Sequence, residues 1–70
     1  MPIEEFRDHY GHLVAKGDPE TGNIESAYKK QVTRTRLPVG GSISIERDGV
    51  ITTIIRIDRT EFLVVKKKAQ

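Results

Sequence analysis

The chain contains no cysteine, so no disulfide staples it and no thiolate can hold zinc or act as a nucleophile. Uncharged apolar runs reach only a few residues, far short of a membrane-spanning helix. The first residues, Met1 to Arg7, lack the basic and apolar regions of a signal peptide. These absences make a cytoplasmic protein the expectation, with no membrane partner. No His-Glu-x-x-His motif, phosphate-loop lysine or nucleophile-elbow glycine pattern occurs. Ser26, Ser42 and Ser44 have no base partner readable from their spacing. Internal repeats, heptads and low-complexity tracts are also missing.

Seventy residues make one domain, spanning 1–70, with a small core and marginal stability. A pocket for a small-molecule substrate is hard to build at that size. The chain is therefore expected to be a non-enzymatic protein without a cofactor.

What is abundant is charge and β-branched residues. Residues 1–28 carry two basic side chains against six acidic ones, and residues 29–70 carry ten basic against four acidic. An acidic front and a basic back bear on partner choice.

Ser42 to Lys67 dominates the hydrophobic pattern. Its β-branched runs break at Asp48-Gly49 and again around Asp58 to Glu61, which predicts a three-stranded antiparallel meander. A three-residue loop, Arg47-Asp48-Gly49, would pair Ile45 with Ile51 and gather Ile43, Ile45, Ile51, Ile55 and Ile57 on one face. Phe62 and Val64 would join them. A two-residue loop, Asp48-Gly49, would instead pair Arg47 with Val50, and the three-residue reading is preferred because it unites the isoleucines. The reverse face then carries Ile54, Leu63 and Val65 beside Arg56.

The front half reads as helical. Ile3, Phe6, Tyr10, Leu13 and Val14 recur at three- and four-residue steps, with Pro2 as a first helical residue and Gly17 as a stop. That predicts a helix over 3–16. Asn23 can cap a second helix over 24–31, with Lys29 and Lys30 near its C-terminus. Thr and Arg alternate through 32–37, which reads as extended chain and as a fourth edge strand for the sheet. The expected fold is α+β: one or two N-terminal helices packed on the meander.

Three sets of side chains could carry function. Glu5, Asp8, His9 and His12 fall at helical spacing, but no third strong ligand joins the histidines, so no metal site is expected. The basic set is more suggestive: Arg34, Arg36, Arg56, Lys66, Lys67 and Lys68 are the candidate contacts to nucleic-acid phosphates. The sheet lacks exposed aromatics for stacking on bases, which weakens that reading. The alternative is a protein-interaction or homodimerisation module that uses Ile54, Leu63 and Val65 on the second sheet face, or an open sheet edge. Either reading describes an accessory or regulatory binding protein.

Overall fold

The described residues form seven strands in two antiparallel meanders. The structure is a computed structural model that describes residues 3–28 and 30–68. Strands β1 (Glu4–Arg7), β2 (Leu13–Gly17), β3 (Asn23–Tyr28) and β4 (Gln31–Arg36) lie in that order in one sheet. Strands β5 (Ser42–Arg47), β6 (Val50–Arg56) and β7 (Phe62–Lys68) make the second. Within each sheet, strands that follow one another in sequence pair antiparallel.

The α+β expectation is therefore overturned: the described residues are all-β and contain no helix. None is thus long and apolar enough to cross a membrane. The predicted helix over 3–16 is the hairpin β1–β2, and the predicted helix over 24–31 falls on β3 and the first residue of β4. Pro2 and Lys29, cited for those helices, lie outside the described residues. The extended segment is present as β4, but it forms an edge of the N-terminal sheet rather than a fourth strand of the meander.

The helical reading fails for local reasons. Asp8 accepts from the amides of Tyr10 and His12, both at 2.9 Å, and so folds the chain back on itself. Gly11 sits at φ 86°, outside the helical region. Asp18 repeats the device by accepting from the Glu20 amide at 2.9 Å in the turn between β2 and β3. A helix of that length is also marginal in water without tertiary support. Pairing of the strands wins because it buries Phe6, Val14, Ala15 and Ile24 together.

Register in the second sheet follows from one turn. Asp48 lies at φ 54° and Gly49 at φ 77°, so both central residues of the β5–β6 hairpin are left-handed. That is the two-residue primed turn favoured by Asp-Gly, because its twist matches that of the strands. Arg47 pairs with Val50, Ile45 with Thr52 and Ile43 with Ile54. The three-residue loop is thus corrected to two residues. The slip moves every β6 side chain to the other face. Ile54 faces the core, while Ile51 and Ile55 face outward. The β6–β7 pairing shifts likewise, with Arg56 opposite Phe62 and Ile54 opposite Val64.

The core lies between the sheets. It contains Phe6, Val14, Ala15, Ile24, Leu37 and Ile54, with Ile43, Ile45, Phe62 and Val64 packed on it. The Phe6 and Phe62 rings meet edge to face at 5.4 Å between centroids. A bulge in the β1–β2 pairing, between Phe6 and Arg7, breaks the alternation of β2 and lets Val14 and Ala15 both be buried.

Two arginines reach across from the second sheet. Arg47 donates to the Ala27 carbonyl at 2.9 Å. Arg56, only 8% exposed, donates to the carbonyls of Leu37, Pro19, Glu20 and Thr21 at 2.9 to 3.4 Å. Its backbone also pairs with Gly40 and Gly41 in the connection between the sheets. Gly22 is required beside it: a Cβ there would sit 2.2 Å from the Leu37 carbonyl oxygen and 2.6 Å from Arg56 Nη1.

Candidate interaction surface

The second sheet has two faces of different character. Its inner face carries Ile43, Ile45, Val50, Thr52, Ile54, Arg56, Phe62 and Val64. Its outer face carries three rows of residues, one from each strand: Glu46, Ile51 and Lys67; Ser44, Thr53 and Val65; Ser42, Ile55 and Leu63. A 3.0 Å hydrogen bond between the Ser44 and Thr53 hydroxyls lies on this face. Ile51, Ile55 and Val65 are half-buried by their neighbours and Leu63 is 48% exposed. Four large aliphatic side chains thus share one face that, among the described residues, no other strand covers. Such clustering marks an interaction surface more often than scattered apolar residues do.

The outer face of the first sheet is different. Glu5, Lys16, Glu25 and Arg34 stand directly opposite one another across β1 to β4, so acid and base alternate along the row. Cross-strand opposite charges are mutually favourable in that arrangement. Arg34 Nε donates to Glu25 at 3.0 Å. An open groove of about 780 Å³ crosses this face, bordered by Ile3, Lys16, Asn23, Glu25 and Arg36 among others. Within it, Arg34 is committed to Glu25 and Arg36 to the Thr21 carbonyl.

The predicted phosphate-contacting residues are scattered. Arg34 and Arg36 lie on β4, and Arg36 donates to the Thr21 carbonyl at 3.1 Å. Arg56 is withdrawn from the surface altogether, because four backbone carbonyls hold its guanidinium inside the fold. Lys66, Lys67 and Lys68 are exposed on the edge strand β7, beside the β5–β6 hairpin.

Of the predicted interaction residues, Ile54 is 0% exposed and belongs to the core. It cannot line a surface. Leu63 and Val65 do lie on the outer face. Ile51 and Ile55 are the members that sequence reasoning missed, having been assigned to the core side. The Asp48-Gly49 dipeptide held the signal, since Asp-Gly between apolar runs favours the two-residue turn.

The loop between β1 and β2 holds an acid–imidazole pair. Asp8 Oδ2 lies 3.5 Å from His12 Nδ1. Among the described residues, no group of three or more His, Cys, Asp or Glu side chains could hold an ion. Burial alone would push the Asp8 carboxyl up. The amides of His12 and Tyr10 and the nearby imidazole outweigh it, so the pKa is held below the ordinary 3.8. At Asp58, the Thr60 amide and then the Thr60 hydroxyl lower the carboxyl in the same way.

Comparison with protein-family models, with curated proteins and with solved structures finds no match.

Proposed function

We propose that this chain is a small non-enzymatic binding protein, an accessory or regulatory factor that works by associating through the outer face of β5, β6 and β7. The supporting observation is the set Ile51, Ile55, Leu63 and Val65 on a sheet face that the core does not use. Large aliphatic side chains there lie outside the core, and a partner that covers them gains apolar burial. The lack of cysteine supports a cytoplasmic setting.

The probe for this surface is the apolar dye ANS. The dilute native chain should enhance ANS fluorescence, and Ile55→Ser with Leu63→Ser should remove the enhancement while the far-UV spectrum stays unchanged. No enhancement in a native chain that is monomeric at the assay concentration overturns the reading.

A second reading, phosphate contact with nucleic acid, is supported by Lys66, Lys67 and Lys68 standing exposed in succession on an edge strand. Fluorescence anisotropy with labelled mixed-sequence duplex and single-stranded oligonucleotides tests it. Binding should weaken steeply as salt rises and be lost on triple alanine substitution. No binding at low salt removes it.

A further inference from the structure

We infer that the outer face of β5, β6 and β7 closes against the same face of a second copy of this chain. This rests on the association reading above and names its partner. The argument is the lateral asymmetry of the three rows. Strand β5 presents Ser42, Ser44 and Glu46, and β7 presents Leu63, Val65 and Lys67 at the same levels. Small residues and an acid lie on one side of β6; large residues and a base lie on the other.

A two-fold axis running nearly along β6 superposes these opposites. It lays β5 of one copy over β7 of the other. Glu46 then faces the partner's Lys67, and Lys67 faces the partner's Glu46. Ser42 and Ser44 face the partner's Leu63 and Val65, so bulky side chains sit over small ones and the faces mesh. Along the axis, Ile51, Thr53 and Ile55 meet their own counterparts. Sheets pack roughly 10 Å apart face to face, a gap that extended Glu and Lys side chains span from either side.

The alternative face-to-face axis, lying across the strands, fails on the same residues. It sets Lys67 over the partner's Leu63 and Glu46 over the partner's Ser42, leaving four charges without partners. A self-complementary patch of this kind is what a closed two-fold dimer requires. Edge charges that pair only in one arrangement fix its register.

The test measures the solution mass of the full chain by light scattering or sedimentation, up to about 1 mM, the weak end of specific association. The expected result is a dimer. Glu46→Lys and Lys67→Glu should each weaken it about tenfold or more, because each reversal creates two like-charge contacts across the axis. The double reversal should restore it. Leu63→Asp should abolish it while leaving the fold intact, since Leu63 lies outside the core. A dimer lost on Leu63→Asp but indifferent to the reversals overturns this axis. A dimer indifferent to every one of these changes overturns both the axis and the association reading. A chain that stays monomeric overturns the self-association; ANS enhancement that depends on Ile55 and Leu63 then leaves the association reading standing on its own.

Discussion

Arg56 Nη1 lies 2.9 Å from the carbonyl oxygen of Leu37, and this buried contact ties the second sheet to the connection leaving the first. The same guanidinium donates to Pro19, Glu20 and Thr21, and no carboxylate among the described residues comes within ion-pair distance. Carbonyl dipoles therefore solvate the charge. Arginine suits this role because its planar fork directs several donors at once.

Truncation at this position should be severe. Arg56→Ala leaves several inward-facing carbonyls without donors and should cost about 3 kcal/mol, since unpaired buried polar groups carry their full desolvation penalty. Arg56→Lys should recover little, because an ammonium concentrates its donors at one point. Urea midpoints of the three chains check this; a lysine variant as stable as the native chain refutes it.

Adjacent isoleucines should differ sharply. Ile54 is in the core and Ile55 is on the outer face. Ile54→Ala should cost about 2–5 kcal/mol through lost burial and a residual cavity. Ile55→Ala should cost under about 1 kcal/mol, as expected away from the core. Equal losses, or the reverse order, would contradict the two-residue turn that sets the register.

Thr52 offers a stabilising change. Its side chain is buried on the inner face and its hydroxyl oxygen has no hydrogen-bond partner among the described residues. Thr52→Val keeps the shape and removes the unpaired hydroxyl, so it should raise stability by about 1 kcal/mol. A lower thermal midpoint for the valine variant would show that the hydroxyl is satisfied after all.

Stability should decline in acid. The Asp8 and Asp58 carboxyls titrate below their ordinary value in the folded chain. As pH falls, the unfolded chain takes up these protons first, which favours unfolding. The contribution is complete above the unfolded value near about 3.9 and is lost as pH drops through the folded values. Urea midpoints measured from about pH 7 down to 3 should fall at the acid end. Asp8→Asn with Asp58→Asn should flatten that fall, because each amide oxygen still accepts from the loop; an unchanged slope refutes the assignment.

The second sheet was legible in the sequence because its β-branched runs are interrupted by turn residues. Its faces were not, since Ile51, Ile54 and Ile55 offer isoleucine to both sides and only the backbone at Asp48-Gly49 decides between them. The first sheet was hidden by a coincidence of spacing. Phe6 and Val14 recur at helical steps, yet a bulge and an Asp8-led loop are what bring them to one core. The role of Arg56 was unreadable because a basic residue between apolar ones reads as exposed. Its carbonyl partners lie 19 to 37 positions away in the chain, and no local pattern announces them.

That each sheet is a meander, its strands paired in the order of the sequence, bears on how fast the chain can fold. Each hairpin closes only a short loop, so the entropy lost before contacts reward it stays low for an all-β protein. Strand pairing is then a local event within each meander. What joins distant parts of the chain is the docking of one meander on the other, and there the Arg56 guanidinium exchanges water for the carbonyls of Leu37, Pro19, Glu20 and Thr21.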